Sequence, residues 1–220
     1  MDQKELSNRR PLAVRDSNFA IGTARWLAKQ RMTPNQISVL SVIFAALASA
    51  AFFARPVVSG YLEPLLLILA ALFIQARLLC NLFDGMVAME GGKKTASGEL
   101  FNDIPDRIAD PLILIGAGYS IAFLPYGEAL GWAAAVLAVM TAYIRVLGVS
   151  IGAPADFRGP MAKQHRMAAL TITCVLSLGE PFFAIQGQVM MICLAAIVIG
   201  CVITVYRRTR GIYRFLEGIA

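Results

Sequence analysis

The chain has 220 residues, a formal net charge of +6 and an isoelectric point near 9.4. It is 58% hydrophobic and only 15% charged, with a mean hydropathy of +0.66. A soluble domain carries about a quarter charged residues, which argues against a single water-soluble core, and the cations flank apolar runs with no aromatic-basic module beside them, which argues against nucleic acid as a partner.

The first 35 residues lack the apolar stretch of a cleavable signal peptide. Residues 17–31, SNFAIGTARWLAKQR, mix Phe19, Ile21, Trp26 and Leu27 with Arg25, Lys29 and Arg31. That mixture predicts an amphipathic helix lying in a membrane interface. TPNQIS follows, with Thr33 placed to cap a helix and Pro34 at an early helical position. Residues 1–34 therefore read as a cytoplasmic N-terminal segment, and 35–220 as one membrane domain.

Six apolar runs lie in that domain, over 36–54, 61–83, 107–125, 129–150, 165–180 and 187–206. A hydrocarbon core about 30 Å thick needs roughly 20 helical residues, so the expected fold class is an all-α integral membrane protein with six transmembrane helices behind the interfacial one. The fifth run is the weakest, because Gly179, Glu180 and Pro181 cut it short. Cations gather before the first run (Arg9, Arg10, Arg15), between the second and third (Lys93, Lys94), between the fourth and fifth (Arg158, Lys163, Arg166) and at the C-terminal end (Arg207, Arg208, Arg210, Arg214). The alternate loops hold Arg55 as their single cation. This bias places both termini and the 81–110 region in the cytoplasm. Cys80, Cys174, Cys193 and Cys201 fall inside the runs and read as small buried hydrophobes.

The second run changes character at its cytoplasmic end. Arg77, Asn81 and Asp84 sit at i, i+4 and i+7, one helical face. A charge near bilayer depth costs at least about 2.5–3.5 kcal/mol, which favours a protein-facing polar stripe; a plain Arg77–Asp84 pair locking two helices is the competing reading. After a glycine-bearing link come Asn102, Asp103, Asp106 and Asp110, again along one side of a helix. Two antiparallel helices would so face each other with oxygen ligands. Oxygen donors select hard cations such as Mg²⁺, Mn²⁺ or Ca²⁺, and the lack of a second histidine argues against zinc. A divalent ion neutralises phosphate oxygens and a spare carboxylate takes a proton from an alcohol, so the cluster suits transfer at phosphorus. Asp103 also fits a helix N-cap ahead of Pro105, and Asp110 a partner for a basic neighbour.

These residues resemble the CDP-alcohol phosphotransferase family, whose motif is D-x-x-D-G-x-x-A-R, eight residues, then G-x-x-x-D-x-x-x-D. The chain aligns without a gap: Asn81, Asp84, Gly85, Ala88, Met89, eight residues, Gly98, Asn102 and Asp106. TPNQIS is similar to the opening of the family's first span, and AKQHRMAA to its basic segment before the fifth. The resemblance implies six transmembrane helices, a homodimer, and a two-metal site of Mg²⁺ or Mn²⁺ held by the four motif aspartates. It implies transfer of a CDP-linked group to an alcohol, with release of CMP. Carried over, Asn81, Asp84, Asn102 and Asp106 are metal ligands, with Asp103 a candidate to join them. Asp84, Gly85, Ala88 and Gly98 contact the nucleotide, and Asp106 is the base for the acceptor hydroxyl. Asn at 81 and 102 keeps a carbonyl ligand and removes two charges, so the motif positions offer two charges where the family has four. Met89 replaces the motif arginine.

The 157–166 loop adds Arg158, Lys163, His165 and Arg166, and Arg145 lies near the end of the fourth run. Arg145, Lys163 and Arg166 are placed to receive phosphates of the donor or of a phosphorylated polyol acceptor; positive-inside topology alone is the competing explanation. The leading expectation is transfer of a phosphatidyl group from CDP-diacylglycerol to a small alcohol, in phospholipid biosynthesis at a bacterial inner (plasma) membrane. The alternatives are a soluble CDP-alcohol giving its headgroup to a lipid, and an inactive scaffold or transporter. Polar residues gathered at one end of two spans, rather than spread at mid-membrane, favour interfacial chemistry.

Overall fold

The computed structural model describes residues 18–30, 32–90 and 98–218. The expected link with Gly91, Gly92, Lys93 and Lys94 lies outside these residues, as do Arg9, Arg10, Arg15 and Arg31. Among the described residues the chain is all-helical: α1 (Asn18–Lys29), α2 (Pro34–Ala54), a 3₁₀ turn (Arg55–Val57), α3 (Leu62–Glu90), α4 (Gly98–Tyr119), α5 (Gly127–Ser150), α6 (Lys163–Ser177), the single turn α7 (Glu180–Phe183) and α8 (Gln188–Leu216).

Helix α2 begins where the sequence places it. The Thr33 hydroxyl accepts from the Gln36 N–H at 3.2 Å and the Thr33 N–H donates to Gln36 Oε1 at 2.9 Å, a reciprocal box that satisfies two end groups. Four helices, Pro34–Val57, Leu62–Ala88, Gly127–Ser150 and Gln188–Leu216, are long and apolar enough to cross a membrane. These match four of the six expected runs. The other two runs differ for identifiable reasons. Helix α4 carries Glu99, Asp103, Asp106 and Asp110 and spans Pro105 and Pro111. Helix α6 has 15 residues, about 22 Å of helix, before the Gly179–Pro181 turn. Asp103 is not an N-cap, because α4 already starts at Gly98.

Helix α2 packs on α3 and α4, α4 on α5, α5 on α8, and α6 between α3 and α8. Small residues let these helices approach: Ala45, Ala48, Ala70, Ala117, Ala134 and Ala138 are all buried. At the α4–α5 crossing a Cβ on Gly118 would stand 2.7 Å from the Gly131 Cα, so two bare backbones meet there. The outward faces hold Ile43, Leu72, Val136 and Ile199, all exposed. An apolar exterior of this extent suits lipid tails rather than water. Cys80, Cys174, Cys193 and Cys201 are buried and free, as expected.

Two ends of the bundle carry buried charge. One gathers the end of α3 with the starts of α4 and α6. The other gathers the 3₁₀ turn, the start of α3, α7 and the start of α8.

Candidate active site

Helix α3 brings Arg77, Asn81 and Asp84 to the first end along one stripe, and α4 faces it with Asp106 and Asp110. Arg77 is fully buried; its Nη2 lies 2.8 Å from Asp106 Oδ1 and 2.6 Å from Asp110 Oδ1. Asn81 Nδ2 donates to the same Asp106 oxygen at 2.7 Å. The other Asp106 oxygen is ion-paired to Lys163, from the first turn of α6. Asp110 receives Arg166 Nη2 at 2.8 Å, and Arg166 Nη1 donates to the Met161 carbonyl at 2.8 Å. Lys163 and Arg166, expected from the sequence to receive phosphates, thus stand at the start of α6 paired with Asp106 and Asp110. The Arg77–Asp84 pair does not form.

Asp84 takes its hydrogen bonds from outside this network. Its carboxylate accepts the Ser38 hydroxyl of α2 at 2.8 Å and the Gly85 backbone N–H. It is 4% exposed, and among the described residues no cation pairs with it. Taking an ionised carboxylate out of water without a counter-charge is costly, so this position calls for a cation. Ser38 closes the TPNQIS segment, which the sequence marks as the opening of the first span and not as part of the site. Gly85 needs no packing explanation: a Cβ there would meet nothing within 4 Å. Its missing side chain leaves open space beside Asp84, as close approach of a ligand requires. Ala88 lies one turn further along α3 and is partly exposed, and Gly98 opens α4.

Asp103 does not face these carboxylates. It pairs with Arg107 at 2.7 Å and Arg145 at 3.2 Å. Arg145 also lies 5.6 Å from the centre of the Phe157 ring, a cation–π contact. Asn102 lies in the first turns of α4; its side chain and that of Met89 are outside the described ones. Further from the centre, Arg158 pairs with Asp156 at 2.7 Å and His165 Nδ1 lies 2.7 Å from the Pro160 carbonyl. Both fasten the 151–162 loop. Arg208, buried, donates to the Arg158 carbonyl at 3.0 Å and the Thr141 carbonyl at 2.6 Å, tying that loop to α5. Beside it two grooves of about 610 and 730 Å³ run between the loop and α8, sharing Arg158 and Gly211, the second lined also by Arg207 and Arg210.

The donors divide in their fitness for a metal ion. Among the described residues no three Asp, Glu, His or Cys side chains converge as a ready cage. Among the described residues Asp84 has no ion-pair partner, and Asn81, with its amide nitrogen on Asp106, has no hydrogen bond on its carbonyl oxygen. These fit a hard cation. Asp106, Asp103 and Asp110 are each already held by basic side chains.

Residues 31–206 match the family described as CDP-alcohol phosphatidyltransferase, over most of the chain. The chain belongs to that family. Among curated proteins, the inner membrane protein YnbA of Escherichia coli (strain K12) is 25% identical over 145 residues, 66% of this chain and 67% of that protein. Among solved structures, Mycobacterium tuberculosis phosphatidylinositol phosphate synthase PgsA1 with CDP-DAG bound is similar at a TM-score of 0.72 and 19% identity, over 90% of this chain and 94% of that one. PgsA1 in complex with manganese and citrate matches at 0.72 and 19%, over 88% of each chain. The CDP-alcohol phosphatidyltransferase fold is thereby established for the chain.

Proposed function

We propose that the chain transfers a phosphatidyl group from CDP-diacylglycerol to a small alcohol or phosphorylated polyol and releases CMP. The observation that carries this reading is Asp106, a nearly buried carboxylate at the last motif position, where α3, α4 and α6 meet. A carboxylate has about four lone-pair sites, and Asp106 accepts from Arg77, Asn81 and Lys163. One direction stays open for an acceptor hydroxyl.

In the reaction, the acceptor oxygen forms a bond to the phosphatidyl phosphorus as Asp106 takes its proton. The bond from that phosphorus to the CMP oxygen breaks, and CMP leaves with the electron pair. Bound Mg²⁺ or Mn²⁺, held through Asp84 and Asn81, supplies neutralisation of the diphosphate; manganese in the PgsA1 structure supports this choice of ion. Gly85, Ala88 and Gly98 border the nucleotide. Lys163, Arg166 and Arg145 steer phosphates, and Arg158, Arg207 and Arg210 extend the basic surface along the outer grooves.

The same reading takes α4 and α6 as the third and fifth of six spans, with residues 35–220 as one membrane domain. Burial of apolar residues around α4 and α6 supports these two spans, the cation bias of the loops supports both termini on the cytoplasmic side, and its mixed composition supports α1 in the interface. The inner-membrane relative supports the location, and a homodimer is the proposed assembly. CMP release by purified protein, offered CDP-diacylglycerol, a panel of alcohols and Mn²⁺, tests the activity. CMP only from a soluble CDP-alcohol with a lipid acceptor would move the assignment to headgroup transfer. No CMP from any pairing would leave a scaffold or transporter.

A further inference from the structure

The two asparagines of the motif raise a question that the tertiary contacts answer. Two missing charges at Asn81 and Asn102 would be made good if Asp103 or Asp110 were free to hold an ion. Neither is. Asp103 is held by Arg107 and Arg145, and Asp110 by Arg77 and Arg166. Among the described residues the centre contains three carboxylates, Asp84, Asp106 and Asp110, against three fixed cations, Arg77, Lys163 and Arg166. It is charge-balanced before any ion binds.

Within that balance the charges are unevenly spread. Asp106 is neutralised by Arg77 and Lys163, and a metal ion there would have to displace one of them. Arg77 is fully buried, with Nε and Nη1 lacking hydrogen-bond partners. It has no route to water, so its charge stays on Asp106 and Asp110. Among the described residues Asp84 is the carboxylate that forms no ion pair; Lys163 reaches it only through its field. A single divalent ion there, facing the two charges of a bound diphosphate, gives a balanced complex; a second ion would leave two positive charges in excess in a buried site.

We infer that this site takes one divalent ion, at Asp84, and that Arg77 with Lys163 provides on Asp106 the fixed positive charge that a second ion would otherwise bring. The inference rests on the proposed transfer site but concerns ion binding, which is read separately from turnover. Arg77 is thus a positioning residue, holding Asp106 between α3 and α4.

The test is a Mn²⁺ titration of the purified full chain in nanodiscs, with CDP present, following free Mn²⁺ by electron paramagnetic resonance. One Mn²⁺ per chain is expected. Asp84→Asn should lose it, while Asp84→Glu, which keeps the charge and serves as the folding control, should retain it. The Asn81→Asp/Asn102→Asp double variant should gain a second ion. Two ions in the unsubstituted protein, none at all, or one that survives Asp84→Asn would overturn the inference, as would a double variant that still holds one. One bound ion without any CMP release would instead sink the transfer reading and leave the ion count standing.

Discussion

Buried ion pairs stand at both ends of the bundle, and they differ in what they leave unfinished. At the end opposite the motif, Glu180 is 1% exposed and both of its oxygens are committed: one to the Val189 N–H, the other to the Gly187 N–H and Arg55. Arg55 also reaches Glu63 at 3.1 Å. Glu180 thereby caps the start of α8, offsets the helix dipole there and pins the 3₁₀ turn to α7. At the motif end, Asp106 keeps an open direction and, among the described residues, Asp84 has no ion-pair partner. A charge cluster that closes on itself staples helices together. One that stays incomplete, at the mouth of a link and a basic loop, holds groups ready for a ligand.

The sharpest way to break this contrast is to neutralise one carboxylate at each end. Asp106→Asn should lower CMP release by about 10²–10⁴-fold, the usual worth of a positioned base. Glu180→Gln should leave CMP release per folded molecule unchanged. Equal losses of turnover from the two would erase the distinction between the ends. Arg77→Leu should act on stability, because it strands Asp106 and Asp110 without their shared cation. Breaking a buried pair from one side costs about 3–5 kcal/mol, which thermal unfolding in detergent would register as a large fall in midpoint. Glu180→Gln should cost less, about 1–3 kcal/mol, since the neutral amide can still accept from one of the two backbone N–H groups.

The smallest effect belongs to the 151–162 loop. Burial raises the Asp156 carboxyl, but hydrogen bonds and charge from Arg158 outweigh it and hold the group below the ordinary carboxylate range. A depressed value means the interaction stabilises the fold above the unfolded-state value and is lost as pH falls through the folded-state one. The difference in unfolding midpoint between the unsubstituted protein and Asp156→Asn should therefore shrink as the pH is lowered below about 4. Arg158 is largely exposed, so solvent screening keeps this difference small. A difference that grew with acidity would show that Asp156 gains nothing from Arg158.

Much of the candidate site was legible in one dimension. The stripe Arg77–Asn81–Asp84 follows from helical periodicity, and the spacing from Asn81 to Asp106 carries the family. The Thr33 cap was equally local, since its partner Gln36 lies three residues on. Asp103 shows where such reading stops. Periodicity puts Asp103, Asp106 and Asp110 on one side of a helix, yet the first pairs with Arg145 and the last with Arg166. Those partners lie 42 and 56 residues away, and no periodicity reports which helix a given face will meet.

By itself the sequence determined that the chain is helical and apolar enough to enter a membrane, where its acidic residues concentrate, and to which family it belongs. Each of these depends on composition or on spacing within a helix. Only the tertiary structure decided how the charges are partnered: Asp84 with Ser38, Asp106 with Arg77 and Lys163, Asp110 with Arg166. The reason is physical. A buried charge is stabilised by whichever opposite charge or donor the packing brings within about 3 Å, and α2, α3, α4 and α6 are brought together by small residues and apolar faces that carry no record of those pairs.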